Sequence, residues 1–300
     1  MSAAVDLLNA FTVDVEDYYQ VTAFEGQVER SAWPSYESRV AANTRRLLRL
    51  LERFEVRGTF FVLGWVARRF PQLVREIQRA GHEVGSHSYW HRLVYRQSPQ
   101  EFRDDLVQSR RVLEDVTGAP IMAYRAPSFS ITRQSLWALD ILVEEGFRHD
   151  SSIFPVYHDR YGIPDAQPGV HQIPAAGGML WEFPASVLRW GGMNIPVSGG
   201  GYFRLYPLAW TLRSLAYINR RQRRPFMFYV HPWEVDPDQP RLRVAGVKTR
   251  FRHYVNLKST HAKLEVLLGR FRFGRLSEVI EQHVGAGASP EATFPETISA

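Results

Sequence analysis

The 300-residue chain contains no cysteine, which excludes disulfide frameworks, cysteine-ligated zinc, iron–sulfur clusters and thiol nucleophiles. A cysteine-free chain tolerates either redox environment, so the absence does not select a compartment. Long hydrophobic runs are also missing, since no stretch reaches the ~18 apolar residues needed to cross a bilayer. The opening M-S-A-A-V-D-L-L-N-A lacks the basic start and apolar region of a secretory signal. The expectation is a cytoplasmic protein, with periplasmic or membrane-associated placement as the alternative. Charge of one sign is scarce too: 37 Lys and Arg stand against 31 Asp and Glu, a net +6. The densest basic stretches, Arg220–Arg224 and Arg241–Arg252, show no aromatic interleave and no nucleic-acid module, so nucleic acid is not an expected partner. An anionic polysaccharide or a membrane surface would account for the excess equally well. No Gly-rich phosphate loop follows a strand pattern, and no internal repeat is present.

What is there is enough for a core. Hydrophobic residues make up 45% and charged residues 23%, the composition of a folded globular chain. Leu7–Val15 reads as a buried strand running into Asp14, Glu16 and Asp17, and Arg39–Phe54 as a helix. A strand at Gly58–Leu63, a helix at Val66–Ala80 and a strand at His82–Gly85 follow. Ser98-Pro99-Gln100-Glu101 is a capping box opening a helix that ends at Thr117-Gly118. Ile121–Arg125 and Phe147–Ser151 read as strands around a helix at Arg133–Glu145. Phe154–Gly201 is rich in Pro and Gly and reads as an irregular insertion with short extended pieces at W-E-F-P and I-P-V. Pro207–Arg220 is expected to be helical, Pro225–Val230 a strand ending at His231, and Ser259–Leu268 and Leu276–His283 closing helices. Polar residues gathered after strand ends argue for a parallel α/β fold with its site on one face, a complete or incomplete barrel rather than an open sheet. Residues 1–283 form the expected domain and 284–300 an expected disordered tail.

The candidate chemistry sits at those strand ends. In H-S-Y-W-H, His87 and His91 are four apart, and on a helical turn both imidazoles would share a face. A carboxylate from Asp14, Glu16 or Asp17 would complete a three-ligand set with room for water. Two further runs, Y-R-A-P-S-F-S with Arg125 and F-Y-V-H-P-W-E with His231, occupy the same kind of position.

Taken in order, F-T-V-D-V-E-D, H-S-Y-W-H, R-A-P-S-F and Y-V-H-P-W resemble the motifs of the polysaccharide deacetylases with a NodB-homology domain, over about residues 7–283. The longer strings T-V-D-V-E-D-Y, Y-R-A-P-S-F-S-I and Y-V-H-P-W-E-V-D-P further resemble the subgroup found in exosortase-linked exopolysaccharide loci. The resemblance implies a distorted or incomplete (β/α) barrel and a carbohydrate esterase that removes N-acetyl groups from aminosugars with a divalent metal, zinc first, with cobalt or nickel as alternatives. Its substrate would be an N-acetylated polysaccharide or oligosaccharide. By position, Asp14 matches the catalytic base, His87 and His91 two metal ligands, Arg125 the partner of the base and His231 the general acid. The third ligand is Glu16 or Asp17, with Asp17 preferred because aspartate is the usual ligand type. Asp150 in H-D-S-S-I-F matches the acid that orients His231. Pro127, Phe129, Tyr18 and Trp90 are the expected substrate contacts, the aromatic faces suiting a pyranose, with Tyr19, Trp181, Trp190 and Tyr202 as further candidates. Two other functions fit less well: hydrolysis of a small cyclic amide, as in allantoinase-like relatives of the fold, and non-catalytic carbohydrate binding.

Overall fold

In a computed structural model, residues 7–158, 160–242 and 246–285 are described. The expected tail from 286 onward lies outside them. In chain order the elements are β1 (Leu8–Val15), α1 (Val40–Arg53), β2 (Thr59–Val62), α2 (Gly64–Arg69), α3 (Pro71–Arg79) and β3 (Glu83–Ser86). Then come α4 (Pro99–Thr117), β4 (Ala123–Tyr124), α5 (Trp137–Glu144), β5 (His149–Asp150), β6 (His171–Ala175) and β7 (Gly178–Glu182). The remainder is β8 (Val187–Trp190), β9 (Met193–Pro196), α6 (Gly200–Leu205), α7 (Leu208–Arg220), β10 (Met227–Val230), α8 (Val247–Tyr254), α9 (Leu257–Leu268), β11 (Arg272–Gly274) and α10 (Leu276–Gly285).

The main sheet runs β10-β1-β2-β3-β4-β5-β7-β6, with β11 added against β1, and every pairing is parallel except β6 with β7. Among the described residues it does not close into a barrel, which is the incomplete form of the expected α/β barrel. Strand β1 is buried from Asn9 to Val15, as befits a parallel strand covered on both faces. It is also the hub: β10 pairs with Ala10–Val13, β2 with Thr12–Val15, and β11 with Leu8–Ala10. Because β1, β3, β4 and β10 are parallel, their C-terminal ends release Asp14–Asp17, His87, Arg125 and His231 on one side of the sheet.

Three expectations change. The helix expected over 66–80 is broken into α2 and α3 at Phe70, because Pro71 opens a new helix and holds the residue before it out of helical geometry (φ −128°, ψ 57°). The stretch expected to be irregular carries two hairpins, β6–β7 and β8–β9, and β7 joins the main sheet beside β5. The second hairpin turns at Gly191-Gly192, both with positive φ (58° and 79°), the geometry a two-residue hairpin loop requires. Helix α8 and strand β11, short and without a strong period, were not anticipated. The capping box of α4 is formed as expected, with Ser98 accepting from the Glu101 N–H and Gly118 closing the helix at φ 66°.

Candidate active site

The acidic strand end of β1 separates into three environments. Asp14 receives a hydrogen bond from Arg125 Nη1 at 2.7 Å. Arg125 is fully buried and fixed at every nitrogen: Nε donates to Ser151 O (3.1 Å), Nη1 also to Thr12 Oγ1 (2.8 Å), and Nη2 to Ser151 Oγ (2.8 Å). Its guanidinium lies 4.2 Å from the Phe61 ring centroid, a cation–π contact. Asp14 is therefore oriented by a partner that cannot move.

Glu16 faces the histidines. Its Oε2 lies 2.8 Å from His91 Nε2, and Oε1 accepts from the Trp233 indole N–H at 3.2 Å. Burial alone would raise this carboxyl, but His91, with His231 and His87, outweighs it and holds Glu16 down to about 2. Asp17 points away and serves the backbone: its oxygens accept from Ser38 Oγ (2.6 Å), the Arg39 N–H (3.0 Å) and the Val40 N–H (3.2 Å). A carboxylate at the first turn of α1 suits both the free N–H groups and the helix dipole. The sequence-based preference for Asp17 as a metal ligand is thus corrected to Glu16.

His87 and His91 converge, but not on a helical turn as expected. H-S-Y-W-H is an irregular loop in which Ser88 (φ 66°) and His91 (φ 53°) are left-handed, a costly backbone that persists only where its surroundings impose it. Those surroundings are α4 and α2: Asp105 accepts from the Tyr89 N–H (2.6 Å) and Trp90 N–H (3.1 Å), Ser109 donates to Ser88 O (3.0 Å), and the Gly64 N–H does the same (2.9 Å). His87 Nδ1 lies 2.8 Å from Arg125 O, so that nitrogen carries the proton and Nε2 keeps its lone pair. Burial lowers His87 to about 4, so it is neutral at pH 7, the form that ligates.

Glu16, His87 and His91 each offer an atom within 4.8 Å of the other two, all three residues being buried. Glu16 Oε2 makes no hydrogen bond of acceptable geometry although it is buried, so a lone pair is directed at the point the imidazoles also face. One carboxylate oxygen and two imidazoles match the donor set of a divalent transition metal, with further positions open. The residues fit such an ion.

His231 stands across the cavity, with Nε2 3.8 Å from Asp14 Oδ2 and 3.7 Å from Glu16 Oε1. Its Nδ1 is 2.7 Å from Glu234 Oε1, and the same oxygen accepts the His231 backbone N–H at 3.0 Å. Glu234 is in turn held by Arg204 Nε at 2.7 Å, a fully buried pair. The ring stacks on Trp233 (centroids 5.1 Å apart), which stacks on His253 (4.2 Å). Asp150 is not the orienting acid. It lies in β5, accepts from Ser152 Oγ and sits in register with Glu182 of β7, so its expected role passes to Glu234. The signal for Glu234 was in H-P-W-E, where the acid three residues after His231 has the spacing of a capping box.

Asp14, Glu16, His87, His91, His231 and Trp233 line one cavity of about 240 Å³. Of the expected substrate contacts, Phe129 lines it, left-handed at φ 52° after Ser128 at φ 54°. The Phe129 N–H donates to Ala126 O (3.1 Å), closing the turn that presents the ring. Tyr18 is 1% exposed, packed edge-on to Tyr19, while Trp90 packs on Trp33 and Pro127 is buried in the turn. None of the three lines the cavity. Its aromatic wall comes from Phe129, Tyr161, Tyr229 and Trp233.

Comparison with known proteins adds an independent line. Residues 27–142 match the family described as polysaccharide deacetylase, and residues 151–281 match a domain of unknown function, DUF3473. A peptidoglycan-N-acetylglucosamine deacetylase of Bacillus cereus is 31% identical over 98 residues, 32% of this chain and 36% of that protein. A peptidoglycan deacetylase of Helicobacter pylori is 30% identical over 121 residues, 39% of this chain and 40% of that protein. The match thus spans well under half the length of these relatives. Among solved structures, a putative polysaccharide deacetylase from Mycobacterium smegmatis superposes with TM-score 0.64 at 21% identity, covering 99% of this chain and 96% of that one. The Puue allantoinase superposes with TM-score 0.60 at 14% identity, covering 95% and 92%. At these identities the likeness is one of fold.

Proposed function

We propose that this chain, whose residues 27–142 match the polysaccharide deacetylase family, is a metal-dependent hydrolase that removes N-acetyl groups from aminosugars of a bacterial exopolysaccharide. One observation carries the proposal: Asp14, backed by Arg125, the Glu16/His87/His91 triad, and His231, backed by Glu234, line a single cavity. The exopolysaccharide assignment is supported by the motif strings of the sequence. Activity toward aminosugars is supported by the curated relatives, which act on N-acetylglucosamine of peptidoglycan by name.

Amide hydrolysis consumes one water: its oxygen bonds to the acetyl carbon, the carbon–nitrogen bond breaks, and acetate and a free amine result. The reaction needs a base, a stabilised oxyanion and a proton for the departing nitrogen. Glu16, His87 and His91 would hold a divalent ion, which would supply Lewis acidity toward the carbonyl and water. Asp14 accepts the proton of the attacking water. Arg125, 2.7 Å away, holds it in place. His231 delivers a proton to the amine nitrogen, and Glu234 holds its ring and its charge. Trp233, donating to Glu16, fixes the carboxylate opposite.

The test is acetate release from N-acetylglucosamine oligosaccharides by purified protein, before and after chelation and on return of Zn²⁺, Co²⁺ or Ni²⁺. Release should stop on chelation and resume with metal, and Asp14→Asn should lose about 10²–10⁴-fold in kcat while retaining the metal. An Asp14→Asn protein at full turnover would remove Asp14 from the role of base. Allantoin in place of the oligosaccharide tests the cyclic-amide reading, which predicts ring opening there and no acetate.

A further inference from the structure

The mouth of the cavity is built differently from its floor. On the floor each charged group is committed: Asp14 to Arg125, Glu16 to His91 and Arg204 to Glu234. Two more arginines, Arg160 and Arg252, line the cavity, and both are exposed. Among the described residues no carboxylate pairs with either guanidinium.

Both are carried on anchored backbone. Arg252 belongs to α8, and the next residue, His253, is buried, bonded through Nε2 to Gln239 Oε1 (2.9 Å) and through its carbonyl to Arg204 Nη1 (2.8 Å). Arg160 precedes Tyr161, whose ring stacks on Phe154 (5.6 Å, 5°) and whose hydroxyl lies 3.3 Å from that of Tyr202. The Tyr161 ring also stacks on His158 (3.8 Å, 5°), which fixes the turn that carries Arg160, and Arg160, Tyr161 and Arg252 line the same cavity. Two guanidiniums without a carboxylate partner on the wall of one cavity are a site for an anion carried by a bound sugar.

We infer that Arg160 and Arg252 form a subsite for an anionic sugar, a residue bearing a carboxylate or an ester sulfate or phosphate, next to the N-acetylated sugar that is hydrolysed. This rests on the deacetylase reading and names its substrate class. A planar guanidinium matches a carboxylate or an oxyacid ester in a two-point contact that a neutral hydroxyl does not reproduce. Both arginines lie in residues 151–281, so the segment matching a domain of unknown function would select the substrate as well as supply His231 and Glu234.

The test compares two N-acetylglucosamine-containing oligosaccharides of equal length, one alternating with glucuronate and one neutral, with an O-sulfated oligosaccharide as a third arm. With metal-loaded protein at low salt, kcat/KM for the glucuronate or sulfate substrate should exceed the neutral one by about tenfold, since each solvent-exposed ion pair contributes up to about fivefold. The ratio should fall toward one in Arg160→Gln/Arg252→Gln and in 0.5 M salt, where screening reaches within ~5 Å. Whichever anionic arm is preferred identifies the anion. Equal kcat/KM for charged and neutral substrates overturns the subsite and leaves the deacetylase reading intact. No acetate from any arm overturns the deacetylase reading, and calorimetric titration of the same oligosaccharides then decides the subsite: equal affinities remove it, and tighter anionic binding lost in the double variant retains it.

Discussion

Glu234 decides the charge on His231. Burial alone would lower the imidazole, but the Glu234 hydrogen bond and charge, joined by Glu16 and Asp14, outweigh it and push His231 up to about 9. The sign follows: below about 9 the ring holds the proton that the proposed hydrolysis would deliver to the amine, and above it the proton is lost. The stability this partnership contributes is full below the ordinary imidazole range and is lost as pH rises through about 9. In Glu234→Gln the largest favourable contribution disappears, so the alkaline limb of the kcat/KM–pH profile should move toward neutrality by one unit or more. A limb that stays in place would show that Glu234 does not set it. Asp14, His87, His91, Arg125 and His231 were all legible in the sequence because each follows a strand pattern directly. Glu16 and Asp17 were not separable there. Neighbouring residues on a chain leaving a strand point in different directions, and only the position of α1 shows which one is consumed as a helix-end acceptor.

At the scale of elements, register places groups that their sequence positions do not suggest are close. Parallel pairing of β5 with β7 sets Asp150 beside Glu182, both fully buried, and burial raises both carboxyls, Asp150 to about 6 and Glu182 further. The pair therefore holds a proton at neutral pH that an unfolded chain would have released. Linkage then requires stability to fall as pH rises above the ordinary carboxylate range, by about 1.4 kcal/mol per pH unit for one proton, until the folded pair ionises. Glu182→Gln should flatten that slope and gain stability relative to the parent at pH 8, as read from urea melts at pH 6 and pH 8. Parallel melting curves at both pH values would exclude the shared proton. A second element-scale constraint is Gly199, at φ 139°, whose missing Cβ would stand 2.0 Å from Tyr229 O. Gly199→Ala should displace β10, costing at least about 2 kcal/mol in thermal or urea unfolding, whereas Gly191→Ala at the open hairpin tip should cost less. The hairpins around these positions escaped the sequence reading because their strands are short, Pro- and Gly-flanked and half-exposed, so hydrophobic alternation is weak. The Gly-Gly of the second hairpin was the available signal.

On the scale of the whole molecule, the two halves of the chain complete each other. The first half supplies Asp14, Glu16, His87, His91 and Arg125, and the second supplies His231, Glu234 and Arg204. Strand β1 is paired by β10 on one side and by β2 and β11 on the other. A chain ending at residue 150 would leave β1 with an unpaired edge and the core without β10, α7 and α9. It should lose its near-UV circular dichroism and bind a hydrophobic dye, and a truncated chain with an intact near-UV spectrum would contradict this coupling. Local pattern determined the alternation of strand and helix, the α4 capping box and the polar residues at strand ends, because hydrophobic period and capping act between residues a few positions apart. Glu234 too was signalled locally, three residues after His231, and only the tertiary structure decided which acid faces the histidines and that Arg160 and Arg252 reach the same cavity. Those choices depend on how strands and helices distant in the chain pack together, and no local period encodes distance in space.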